Sequence, residues 1–288
     1  MTATANSHRT VLIVGGGRGL GRTTAQYCAR AGYPVVVASR SERELRETVD
    51  LVKAETPGAR ITLRTCDVTK DEQVRAMMDW TERESGPIYG MVCSAAVYGA
   101  IGLFDELSVD AWTAGFELNV LGPARCLHAV APLMKRRGVG RIMLFAGGGE
   151  GAMTRFSSYV TSKGAIWRLT ETVGAELAPF GVYLNAIAPG PVNTKFLDEV
   201  MALGPSVVGE EQYARFKKQH TEGGKPPEAT GELVLYLLSG DAKELYGKTI
   251  SANHDRYREI KDPLAVSKSD VFAMRRVVTP DGATRYSS

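Results

Sequence analysis

The sequence has no Cys-x-x-Cys pair. Its four cysteines, Cys28, Cys66, Cys93 and Cys126, lie far apart in the chain, which argues for reduced core thiols and against a disulfide framework or a zinc knuckle. The four histidines, His8, His128, His220 and His254, show no metal-ligand spacing, so no metal is expected. No apolar run reaches membrane-spanning length. The opening stretch MTATANSHRT lacks an apolar signal core, and a cytoplasmic location is the expectation. The net charge of +3 comes without a basic block, so nucleic acid is not implied as a partner. Internal repeats and low-complexity segments are absent. What remains is a chain of 288 residues, 44% apolar and 23% charged: ordinary globular composition, long enough for one large domain or two small ones.

Short apolar runs alternate with helical patterns. Residues 10–14 (TVLIV) and 35–38 (VVVA) are β-branched runs that read as buried strands. Residues 20–31 are helical, and Ser41 is placed to cap the charged helix that runs to Pro57-Gly58. Strands RITLRTC, YGMVCSA, RIMLFA and VYLNAIA follow, separated by helical stretches. One of these, residues 108–137, is crossed by Gly122-Pro123, and Pro123 either kinks the helix or sits in a first turn. Such alternation predicts an α/β fold: a parallel, doubly wound sheet covered by helices on both faces, with a ligand site at the strand C-termini. Residues 192–227 interrupt the alternation. Phe196, Leu197, Val200 and Met201 share a helical face there, as an element packed on the body or as the underside of a mobile lid. The expected organisation is a domain over 1–252 that includes this lid, with a polar extension over 253–288 docking on the body or on a neighbouring subunit.

The first strand runs straight into GGGRGLG at 15–21, which opens the first helix. Glycines let the backbone approach a pyrophosphate, and a helix N-terminus supplies free N–H groups and a positive dipole end. Gly15, Gly17, Arg18, Gly19, Leu20 and Gly21 are therefore candidate cofactor contacts; a tight turn without ligand is the plainer alternative. At the end of the second strand, where an acid would bind a ribose 2′-hydroxyl, stand Ser39 and Arg40. Arg40 suits a 2′-phosphate and can stack on adenine, Ser39 can donate to the phosphate, and Arg18 adds a second positive charge, which favours NADP. A solvated Arg40 ahead of a helix is the other reading. Asp67 can accept from an adenine amino group or simply cap the helix after it.

These features, together with Asp67-Val68, Asn119, Tyr159-x3-Lys163 and Pro189-Gly190 with Thr194, resemble the short-chain dehydrogenase/reductase family over about residues 10–252. The resemblance implies that Tyr159 is the general acid/base. It implies that Lys163 lowers the phenol pKa and holds the nicotinamide ribose, and that Asn119 holds a water linking the lysine to solvent. It places Val68, Ser94, Ala95, Pro189, Gly190, Val192 and Thr194 beside the cofactor, and implies a homodimer or homotetramer packed through helices at 108–137 and 157–178. The spacing is compatible, because residues four apart share a helix face and a neighbouring cation favours phenolate. Val14 stands where the family usually has a threonine, and Cys93-Ser94-Ala95-Ala96 where it commonly has Asn-Asn-Ala-Gly.

A third departure bears on chemistry. The family places a serine or threonine thirteen residues before the tyrosine to bind the reacting carbonyl oxygen; here that residue is Ala146. Losing one preorganised donor costs about 10²–10³ in rate. Ser157 and Ser158 belong to the helical turn of Tyr159 and do not reach the spot; Thr154 in the loop is a weak substitute. The expectation is an NADP(H)-dependent oxidoreductase of the ketoreductase or alcohol dehydrogenase type with an altered catalytic set. The alternatives are a non-redox enzyme (elimination, epimerisation or cyclisation) on this scaffold, or an NADPH-binding regulatory protein. Glu150 is a base or a solvated loop acid. Ala146, Glu150, Met153, Phe156 and Phe196, with Tyr98, would border a pocket for an apolar or aromatic carbonyl compound; the aromatic residues equally suit a core.

Overall fold

Parallel pairing of apolar runs organises this chain. The structure is a computed structural model that describes residues 6–148 and 151–275. Strands β1 (Thr10–Val14), β2 (Val35–Ser39), β3 (Ile61–Thr65), β4 (Ile88–Cys93), β5 (Gly140–Phe145), β6 (Val182–Ala188) and β7 (Thr249–Ser251) form one sheet in the order β3-β2-β1-β4-β5-β6-β7. Every neighbouring pair is parallel. β1, β4, β5 and β6 are buried along their whole length, which is why they read as unbroken apolar runs and not as alternating patterns. Strand order reverses between β1 and β4, and that switch point opens a crevice at the strand C-termini.

Helices α1 (Gly19–Arg30) and α2 (Glu42–Glu55) cover one face of the sheet together with α10 (Glu228–Leu238). Helices α3 (Asp71–Glu84), α5 (Gly122–Arg137) and α6 (Ser157–Leu177) cover the other. Ser41 accepts from the Glu44 N–H and caps α2.

The long helical stretch is not one helix. It divides into α4 (Val109–Phe116), a π turn over Glu117–Leu121 and α5. Gly122 N–H donates to the Glu117 carbonyl five residues back, and Pro123 occupies the first turn of α5, where its missing N–H costs nothing. Asn119 sits inside the π turn.

Residues 192–227 hold three helices where the periodicity predicts one: α7 (Lys195–Met201), α8 (Pro205–Val208) and α9 (Glu210–Glu222). Leu197 and Val200 are buried as the stripe requires. The tail docks on the body as far as it is described. It carries α11 (Pro263–Ser267), buries Tyr257 against Tyr236, and places the Phe272 carbonyl on the Thr249 N–H at the β7 edge. Met274 N–H and Arg275 then reach Glu171 on α6.

Candidate active site

The C-terminal ends of β1, β2, β5 and β6 open into a cavity of about 1260 Å³. Its wall starts at the glycine turn, where Gly15, Gly17, Arg18, Gly19, Leu20 and Gly21 all reach the surface. Gly15 holds φ +90°, and a Cβ there would lie 2.5 Å from the Ala95 backbone nitrogen, so only glycine lets β1 and β4 close this tightly. The first N–H groups of α1 have no helical partner, which suits an anion. Arg22 braces the turn from behind, donating to the Gly17 carbonyl at 2.7 Å and pairing with Glu47 at 3.1 Å. Arg18 reaches the other way and pairs with Glu199 of α7 at 2.7 Å.

Ser39 and Arg40 line the cavity at the end of β2. Arg40 is exposed and makes no ion pair or hydrogen bond among the described residues. Val68, Ser94, Ala95, Pro189, Gly190, Val192 and Thr194 are all on the wall. Asp67 is not: its carboxylate accepts from the Thr69 N–H at 3.0 Å and the Thr69 hydroxyl at 2.8 Å, closing a local turn ahead of α3.

Tyr159 and Lys163 stand one turn apart at the start of α6, and both line the cavity. The Tyr159 hydroxyl donates to the Gly147 carbonyl at 3.2 Å, and Lys163 Nζ donates to the Phe145 carbonyl at 2.9 Å. The ammonium lies 5.6 Å from the tyrosine ring centroid. Gly148 adopts φ +94°, and a Cβ there would fall 2.8 Å from Tyr159 Cε1, so the glycine run makes room for the ring. Asn119 does not line the cavity. Its amide bridges the Val97 N–H and carbonyl (2.9 and 2.8 Å) and donates to Ser162 Oγ at 3.0 Å, which in turn donates to the Tyr159 carbonyl at 2.6 Å. Asn119 thus ties the β4 loop to the helix that carries Tyr159.

Aromatic rings cover the pair. Tyr98 stacks on Phe196 at 3.9 Å and lies 4.8 Å from Tyr159; Phe216 closes on Tyr98 at 6.1 Å. Burial therefore pushes the Tyr159 phenol above its ordinary value, with the Tyr98 phenol adding to the rise, and pushes Lys163 down to about 8. The spacing predicts the opposite direction for the phenol. Desolvation by the stacked rings outweighs the ammonium, which is bonded to a carbonyl and not to the hydroxyl.

Residues 9–202 match the short chain dehydrogenase family. The chain belongs to the short-chain dehydrogenase/reductase family. It is 33% identical over 260 residues to the short-chain reductase protein NovJ of Streptomyces niveus, covering 88% of this chain and 97% of that protein. It is 30% identical over 251 residues to dehydrogenase/reductase SDR family member 4 of Mus musculus, covering 85% of each. Among solved structures it is similar to an actinorhodin polyketide ketoreductase with NADPH (TM-score 0.78, 26% identity, 87% of this chain and 97% of that one). It is also similar to levodione reductase (TM-score 0.79, 25% identity, 88% and 99%).

Within this dehydrogenase fold the remaining candidate residues separate. Met153 and Phe196 line the cavity with Tyr98. Phe156, predicted on the pocket wall, is wholly buried beneath it with Val200 and Val208, so it is floor and not wall. Ala146 is also wholly buried, on the α5–α6 side of the sheet, and its carbonyl accepts from Trp167 Nε1 at 2.8 Å. Ser157 accepts from Trp112 Nε1 and Ser158 donates to the Trp112 carbonyl, which commits both to α4. Thr154 is exposed and off the wall. Glu150 lies outside the described residues. The sequence reading missed Lys195, Gln212, Arg215 and Phe216, all on the cavity. The last three come from α9, whose mean composition is charged, so no apolar period marks the face it turns inward.

Proposed function

We propose that this chain is an NADP(H)-dependent oxidoreductase acting on a carbonyl/alcohol pair, with Tyr159 as acid/base, Lys163 and Asn119 in support, and Ala146 in place of the usual hydroxyl. The observation that carries the reading is convergence: the glycine turn and the Tyr159–Lys163 pair open on the same cavity. A nicotinamide nucleotide fits the residues present. The Gly15 turn leaves no room for a Cβ, and Arg40 stands unpaired where a 2′-phosphate would bind. When bound, the nucleotide supplies or accepts hydride. The chain's own residues do the rest. Arg40, Ser39 and Lys195 bind the phosphate end. Lys163 and the 189–194 loop orient the ribose and amide end. The Tyr159 hydroxyl, now resting on the Gly147 carbonyl, turns to the substrate oxygen and delivers a proton. Residues 192–227 act as a lid whose Phe196 and Phe216 exclude water.

The test pairs two variants with NADPH and a panel of aryl ketones. Tyr159→Phe is expected to abolish turnover. Ala146→Ser sets its hydroxyl in the core on the α5–α6 side of β5, off the cavity wall, and is expected to bring no gain in kcat/KM. Unchanged turnover in Tyr159→Phe defeats the assignment. The alanine at 146 also favours a second reading, non-redox acid/base chemistry on the same scaffold; product formed at constant NADPH absorbance would establish it.

A further inference from the structure

We infer that Gln212 is a specificity-determining residue: its amide binds an oxygen function on an aromatic ketone, at the end of the substrate far from the carbonyl that Tyr159 serves. The inference rests on the functional reading above and adds a substrate class to it.

Gln212 is only 5% exposed, yet its amide has no hydrogen-bond partner among the described residues. A side chain packed this deeply whose amide bonds to no protein group keeps its hydrogen-bonding capacity for what enters the cavity. The group is not sealed in the core, as Thr170 and Thr230 are; it lines the cavity. The Tyr98 hydroxyl on the same wall is likewise unpartnered. Gln212 and Phe216 are one helical turn apart and share the inward face of α9 with Gln219. Gln219 is already engaged with Asn193. Phe216 packs against Tyr98, and Tyr98 against Tyr159. The free amide, these aromatic faces and the reactive phenol thus line one cavity.

The amide is also held in place. Arg155 adopts a left-handed backbone (φ +67°) and donates to the Ser206 and Val207 carbonyls at 3.3 and 3.4 Å, clamping the end of α8. Val208 beneath it is wholly buried against Phe156 and Val200. Gln212 follows within the first turn of α9, so its donor and acceptor are presented from a fixed helix and not a loose loop. A glutamine amide both donates and accepts, which suits a phenol, an alcohol or a second carbonyl. The substrate class is therefore a flat aromatic ketone carrying such a group.

The test uses α-tetralone and the same ketone bearing a phenolic hydroxyl para to the carbonyl, with wild-type protein and Gln212→Met, a variant close in shape but without polar atoms. For wild type saturated with NADPH, the hydroxylated ketone is expected to bind, and to be turned over by kcat/KM, about ten- to hundredfold better. In Gln212→Met the preference is expected to fall to within about twofold. Equal behaviour of the two ketones in wild type, including failure of both to bind, or an undiminished preference in Gln212→Met, overturns the inference. Preferential binding without NADPH consumption would instead defeat the redox reading and leave the Gln212 site standing.

Discussion

Lys163 is a buried base with a pKa near 8, and stability follows from that. The folded value lies below the ordinary lysine value of 10.5, so between about pH 8 and pH 10 the unfolded chain binds more protons and stability rises with pH. Below pH 8 the full cost of burying the ammonium is present, about 3 kcal/mol. Urea melts of wild type and Lys163→Met should therefore differ most below pH 8, with Met the more stable, and converge as pH rises toward 10. A gap independent of pH would show that the ammonium is better solvated than its burial implies. Arg40 carries the other residue-scale expectation. Arg40→Ala should lower kcat/KM with NADPH about ten- to hundredfold and leave NADH nearly unaffected. Equal losses with both would remove the 2′-phosphate from its role.

At the scale of elements, the glycine turn and α7 are joined by Arg18 and Glu199, both partly solvent-facing. A surface pair of this kind contributes at most about 1 kcal/mol, so it ties α7 to the turn only weakly. Glu199→Gln releases Arg18 toward the phosphate end of the cavity. It is expected to lower the KM for NADPH up to about fivefold in steady-state assays; a raised KM would mean that the pair orders α7 instead. Gly148 makes a second joint, between the end of β5 and α6. Gly148→Ala meets both a left-handed backbone and the Tyr159 ring, and it should cost about 1–3 kcal/mol in denaturant melts and most of the activity.

Across the whole molecule, the tail closes the free edge of the sheet. β7 is terminal in the strand order, and the Phe272 carbonyl takes its Thr249 N–H. Ending the chain at Ala252 would uncover that edge and remove buried Tyr257 from Tyr236. Such a truncation is expected to lower Tm by at least about 4 °C and to promote association through the bared strand, read by calorimetry and light scattering. Val109 and Leu121 remain exposed on the α4–α5 face, the surface through which the family resemblance implies a homodimer or homotetramer. Light scattering of the intact chain should find that assembly.

What the sequence determined by itself was local or periodic: apolar runs at strand spacing, a glycine turn between strand and helix, and Tyr159 and Lys163 one turn apart on α6. Such features depend on neighbours within a few residues, which spacing encodes directly. The tertiary structure decided what depends on distant partners. Phe156 went beneath the wall because Val200 and Val208 of residues 192–227 pack on it. Asp67 spent its carboxylate on Thr69. Gln212 came to the cavity from a helix with no apolar stripe to announce it. The direction of the Tyr159 pKa turned on desolvation by Tyr98 and Phe196, rings 61 and 37 positions away in the chain. Burial is a sum over such long-range contacts, and no local pattern contains it.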